Sequence, residues 1–177
     1  MKFEHNVYIV MDLSDPLAGA VMRLRERFDA RLAGIPVEIG VAGSSGLGTL
    51  ENDQDPDHVF GILNDLARGI RRFELSFQSL TSFPGTQWHY FEPMDPAPFV
   101  RIHDSLKKSG IVFKPSPYPY TPHCSVADLK DRPEDASVLK GLGDPGASCV
   151  MDKISVYSLR PDWSCGLLFQ ALLRPNS

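Results

Sequence analysis

The 177-residue chain predicts an α+β fold made of two related halves, and three observations carry that prediction. Short apolar runs rich in β-formers alternate with segments of helical periodicity. Phe73-Glu74-Leu75-Ser76-Phe77-Gln78 alternates as a strand with one wet face. The order strand, helix, strand also occurs twice: residues 7–11, 17–32 and 37–42 correspond to 87–92, 98–109 and 123–127. Antiparallel or mixed sheets follow from this arrangement. No Ser- or Gly-rich linker separates the halves, so residues 1–177 are expected to form a single domain of two interleaved lobes.

Each element has its own local cause. Val7-Tyr8-Ile9-Val10-Met11 reads as a buried strand. Asp15-Pro16 supplies a cap and first-turn pair, after which Leu17, Val21, Leu24, Phe28 and Leu32 recur at spacings of three and four. Arg23, Arg25, Glu26 and Arg27 fill the other face, predicting an amphipathic helix over 17–32 that stops at Gly34. A strand over 37–42 then closes on the loop Gly43-Ser44-Ser45-Gly46-Leu47-Gly48. The next helix starts after Asp55-Pro56 and ends near Gly69, with Val59, Phe60, Leu63 and Leu66 as its stripe.

Thr81-Ser82-Phe83-Pro84-Gly85 is read as a turn joining the 73–78 strand to a hairpin partner over 87–92. Phe99, Ile102 and Leu106 mark a helix over 98–109, with Gly110 as its stop. The strand over 123–127 follows, then a loop and helical turn over 132–142. Strands over 153–159 and 166–173 complete the chain.

Composition narrows the function. An apolar fraction of 42% with 23% charged residues suits a soluble globular protein. The net charge of −4 opposes a role in coating long nucleic acid, which calls for a basic surface that displaces counterions. A short nucleotide or an RNA end is compatible with it. Cys124, Cys149 and Cys165 are odd in number and form no C-x-x-C pair, as expected of reduced thiols in a cytoplasm. The first residues turn polar at once, and no apolar stretch nears the ~20 residues of a membrane helix. A cytoplasmic monomer with no membrane partner is expected.

The chemistry concentrates in Pro122-His123-Cys124-Ser125-Val126-Ala127. In an extended strand His123 and Ser125 share one face, while Cys124 and Val126 turn to the other and suit a core. A histidine beside a hydroxyl can move a proton and hold a phosphate oxygen. The first half carries an altered copy, Glu38-Ile39-Gly40-Val41-Ala42. Aligning it on His123 to Ala127 keeps polar positions together; aligning Pro36 on Pro122 puts Val37 and Ile39 opposite His123 and Ser125, against the alternation.

At these residues the chain resembles the 2H phosphoesterase superfamily, the LigT-like proteins related to 2′-5′ RNA ligases and cyclic phosphodiesterases. Tyr8 to Asp12 with its helix, Val41 to Gly48, the 73–84 segment and Tyr120-Thr121-Pro122-His123-Cys124-Ser125 carry the resemblance over nearly the whole chain. It implies a bilobal, pseudo-two-fold fold with two sheets lining a central cleft and helices outside. It also implies two H-x-T/S motifs facing each other, one imidazole activating water and the other protonating the leaving ribose oxygen. The hydroxyls would hold phosphate oxygens as charge builds. Neither metal nor cofactor is called for, and His5, His58, His89 and His103 lie on separate elements without ligand spacing.

This chain departs from the pattern at its first motif, with Glu38 for the histidine and Gly40 for the hydroxyl residue. The resemblance makes His123, Ser125 and Glu38 the catalytic candidates, Glu38 as proton donor if burial raises its pKa or as base if ionised. Ser44 and Ser45 in the glycine-rich loop are candidate phosphate contacts. Tyr118 and Tyr120 are candidate stacking platforms for a base. Three readings stay open: a phosphodiesterase on 2′,3′-cyclic or 2′-5′-linked nucleotides or RNA ends, a binding module without turnover, and a hydrolase of other chemistry, including a metal-dependent one.

Overall fold

A computed structural model describes residues 2–177. Strand β1 (Asn6–Asp12) leads to helices α1 (Leu17–Phe28) and α2 (Ala30–Ala33), then to β2 (Glu38–Ala42) and the short β3 (Thr49–Leu50). Helix α3 (Pro56–Gly69), β4 (Phe73–Ser76), β5 (Thr81–Ser82) and β6 (Trp88–Phe91) follow. The second half continues with α4 (Ala97–Lys107), β7 (Phe113–Lys114), β8 (Cys124–Asp128) and α5 (Ala136–Leu142). It closes with β9 (Ser148–Met151), β10 (Lys153–Leu159) and β11 (Cys165–Leu172).

The architecture is the α+β one expected, with every paired strand antiparallel. A four-stranded sheet has the order β11-β10-β1-β2, and a three-stranded sheet has the order β5-β6-β8. Two small sheets, β3-β7 and β4-β9, fasten the periphery. No helix among the described residues is long and apolar enough to cross a membrane.

Several local expectations need correction. The predicted helix over 17–32 breaks at Asp29, whose backbone leaves the helical region (φ −153°, ψ 87°) and whose side chain caps α2 through Leu32 N–H. Its other carboxylate oxygen accepts from Asp128 N–H at 3.0 Å, so tertiary bonding to β8 fixes the break. Thr81 and Ser82 are not turn residues; they form β5 and pair with Tyr90 and His89. The 73–76 strand pairs mainly with β9, a strand with no sequence forecast, and meets the 87–92 segment only through Phe77 opposite Pro93 and Gln78 N–H on Glu92 C=O. Arg25, read as part of a polar helix face, is wholly buried.

The repeat is visible in the backbone. In the first half Met11, Val10 and Ile9 oppose Ile39, Gly40 and Ala42, with a bulge between Ile9 and Val10. In the second Phe91, Tyr90 and His89 oppose Cys124, Ser125 and Ala127, with a bulge between His89 and Tyr90. The two registers coincide, kink included. They superpose Ile39 on Cys124, Gly40 on Ser125 and Ala42 on Ala127, which is the alignment that keeps polar faces together.

Helices are exchanged between these halves. Helix α1 packs against β8, and α4 packs against β2. Val7, Ile9, Met11, Ile39, Val41, Cys124, Val126, Phe99 and Leu106 therefore share one buried apolar cluster. The crossing leaves the opposite faces of β2 and β8 turned toward polar groups.

Candidate functional site

Alternation along the large sheet gathers a polar face. Tyr8 opposes Tyr157, Val10 opposes both Ser155 and Gly40, and Asp12 opposes Glu38. Asp12 is buried and saturated: it accepts from Ser155 Oγ–H, from Tyr157 O–H at 3.1 Å and from Gln170 Nε2–H at 3.4 Å. The Tyr8 hydroxyl and the Cys165 thiol share a hydrogen bond at 3.2 Å. None of these donors reaches Glu38, whose Oε2 is buried with no hydrogen-bond partner.

That isolation sets the protonation of Glu38. Burial raises its pKa, nearby Arg25 partly offsets the rise, and the facing Asp12 adds to it, bringing the value to about 8. The carboxyl is thus mostly protonated at neutral pH. Its surroundings respond in kind: burial, Glu38 and other neighbours push the Tyr8 and Tyr120 hydroxyls above the usual phenol range.

Across the seam between β2 and β8, His123 lies immediately before β8. Phe83 and Tyr90 present ring edges to it, with centroids 5.2 and 5.5 Å away. Its Nδ1 lies 2.7 Å from Thr121 C=O. A carbonyl only accepts, so Nδ1 carries the proton and Nε2 holds a free lone pair. Burial lowers the imidazole pKa, against the opposing pull of the Thr121 carbonyl. Ser125 Oγ accepts from Trp88 Nε1–H at 2.9 Å and keeps its own O–H for another partner.

Arg25 holds the two motifs together. Its Nε and Nη2 donate to Ser125 C=O at 3.0 and 2.8 Å. Its Nη1 donates to the carbonyls of Leu32, Ile35 and Pro36, the segment that delivers Glu38. Cys124, on the far face from His123, meets the Glu38 backbone N–H, and burial pushes its thiol up to about 12. Arg25 and the Cys124 thiol thus fasten, from the core side, the segment that carries Glu38 to the strand that follows His123.

The remaining candidates divide. Ser45 is buried, and its Oγ accepts from Thr121 N–H at 3.3 Å, fastening the lead-in to His123. Ser44 is exposed and gives its carbonyl to Ser116 Oγ–H. Tyr120 donates its hydroxyl to Gly40 C=O at 2.9 Å, and one ring face is covered by His103, stacked 3.9 Å away. Gly46 fits against that stack only because it lacks a side chain: a Cβ there would lie 2.3 Å from His103 Cε1. Tyr118 stands 68% exposed, away from the tyrosines gathered around Glu38. Among the described residues no three His, Cys, Asp or Glu side chains cluster as metal ligands.

Sequence reasoning missed Arg25, Asp12 and the aromatic wall of Phe83, Trp88 and Tyr90. Asp12 had one usable signal, since the repeat pairs its strand with that of Glu38. Arg25 also had one, since it lies four residues after Val21 and three before Phe28, on the buried face of α1.

The model of the 2′-5′ RNA ligase superfamily matches residues 13–163. The chain belongs to the 2′-5′ RNA ligase superfamily. Solved structures agree on the fold of this superfamily member. A crystal structure of a phosphoesterase is similar at 16% identity and TM-score 0.63, covering 96% of this chain and 98% of the other. A Thermus thermophilus protein gives 14% identity and TM-score 0.65 over the full length of both chains. E. coli LigT, in its complex with ATP, gives 13% identity and TM-score 0.62 over 96% of this chain and 97% of LigT. No curated protein matches by sequence. In this 2′-5′ RNA ligase superfamily chain, β2 pairs with β1 in the register in which β8 pairs with β6, which puts Gly40 at the position that Ser125 holds in the second half.

Proposed function

We propose that the chain is a phosphodiesterase that opens 2′,3′-cyclic or 2′-5′-linked phosphates of small nucleotides or RNA ends, with Glu38 and His123 as its two proton carriers. The observation that supports this most is their opposed protonation. Burial keeps Glu38 protonated up to about pH 8 while it keeps His123 neutral below its usual range. His123 Nε2 takes a proton from water as the oxygen attacks phosphorus. The P–O bond to one ribose oxygen breaks, and Glu38 gives its proton to that oxygen, leaving a phosphomonoester and a free hydroxyl. Ser125 O–H donates to a non-bridging phosphate oxygen. Protonation also removes the repulsion that an ionised Glu38 would exert on the phosphate.

E. coli LigT has been crystallised with ATP, with 3′-AMP and with phosphate, which supports a nucleotide phosphate as the ligand class. A second reading, a nucleotide-binding module without turnover, draws on Gly40, which supplies no hydroxyl at the position equivalent to Ser125.

Turnover of 2′,3′-cyclic nucleotides decides between them. The native chain should form product without added metal, and His123→Ala and Glu38→Gln should each lower kcat/KM by about 10²–10⁴-fold. The native profile should stay high between the depressed His123 pKa and about 8, then fall as Glu38 ionises. Binding with no product from any of the four bases between about pH 5 and 9 would replace this reading with the second.

A further inference from the structure

A cavity lies between two helices of the molecule, and none of its lining residues comes from β2 or β8. It encloses about 430 Å³ between the end of α3, the lead-in to β4 and α4. Arg71, Arg72 and Arg101 line it together with Ser105. No carboxylate lies within ion-pair distance of any of the three arginines among the described residues. In a chain of net charge −4 such an unbalanced cluster stands out.

The nearby acids point elsewhere. Asp65 pairs with Arg68, Asp104 acts on Tyr120, and Glu74 acts on Cys149. The local main chain is also occupied. Arg72 N–H donates to Arg174 C=O, and Arg174 N–H donates to Ile70 C=O. Arg72 Nε is consequently sealed from solvent with no acceptor. The three guanidinium groups that line the cavity have no carboxylate to balance them, a charge that an anionic ligand would neutralise. The planar forks of three arginines suit a tetrahedral oxyanion better than a carboxylate-free protein wall does.

We propose that this cavity is a binding site for a phosphoryl group, separate from the His123 seam and independent of the function proposed for it. The group can belong to a free phosphate or to the backbone of a single-stranded RNA, and the two sources share the same recognition chemistry. The half-buried Arg72 lines the cavity, while Arg71 and Arg101 close over the anion from the exposed rim.

The test follows the Arg72 Nε–Hε resonance by ¹⁵N NMR during titration with inorganic phosphate and with a short oligoribonucleotide. Native protein is compared with the double variant Arg71→Gln, Arg101→Gln; both positions are exposed, and Arg72 stays as reporter. The expected result is a saturable shift that weakens about tenfold or more in the variant. Equal affinity for both ligands would assign a single phosphoryl group; about tenfold tighter binding of the oligoribonucleotide would assign an RNA backbone. No saturable shift from either ligand overturns the proposal. The same shift with chloride at matched ionic strength, or an undiminished shift in the variant, does so too.

Discussion

Glu38 shows how a single side chain is tuned by what fails to reach it. Four donors converge near it, yet Asp12 takes Ser155, Tyr157 and Gln170, and Cys165 shares the hydroxyl of Tyr8. The half-buried carboxyl keeps its Oε2 unpartnered and is mostly protonated at neutral pH, and this ties folding to pH. With its pKa near 4.5 when unfolded and about 8 when folded, Glu38 binds an extra proton in the native state between those values. Its contribution is full below pH 4.5 and is lost as pH rises through about 8. Glu38→Gln should therefore unfold at a urea midpoint that depends less on pH, its advantage over the native chain growing across that window by on the order of 4 kcal/mol. Parallel pH curves for the two proteins would mean the carboxyl is solvated. His123 and Ser125 were legible from one hexapeptide because a strand fixes which side chains share a face. Glu38 was legible only through the repeat, and its protonation not at all, since that depends on donors supplied by β1, β10 and β11.

At the scale of elements, long periodic segments announced themselves and two-residue strands did not. The stripe of α3 and its Asp55-Pro56 start appear as expected, with Asp55 accepting from Asp57 N–H. Strands β3 and β7 are too short to show any alternation. What joins them is a close approach: Gly48, at φ +79°, runs so near β7 that a Cβ would lie 1.7 Å from Lys114 O. Gly48→Ala should thus combine left-handed strain with a backbone collision and cost about 3 kcal/mol or more, measured from the urea midpoint. A loss below about 1 kcal/mol would show that the β3-β7 ribbon can part at little expense. The broken helix after Phe28 was hidden for a related reason, because Asp29 looks helical until β8 offers it the Asp128 N–H.

For the molecule as a whole, the exchange of helices governs behaviour. Since α1 lies on β8 and α4 lies on β2, each half supplies part of the other's core. Arg25 and His103 repeat the exchange in hydrogen bonds, one reaching Ser125 C=O and the other Val41 C=O at 2.9 Å. Heating should give one calorimetric transition with equal calorimetric and van't Hoff enthalpies. Two resolved transitions would mean that the lobes hold together separately. The duplicated order of elements was readable from residue patterns, whereas the exchange was not, because nothing in a helix's stripe says which sheet it will cover. The matching kinks in β1 against β2 and β6 against β8 carry one more consequence. Glu38→His with Gly40→Ser would write the second motif into the first without moving the backbone, since a Cβ at Gly40 meets nothing nearer than Glu38 Oε2 at 3.8 Å. The chain holds, in its own second half, the template by which its first half can be given the same pair of side chains.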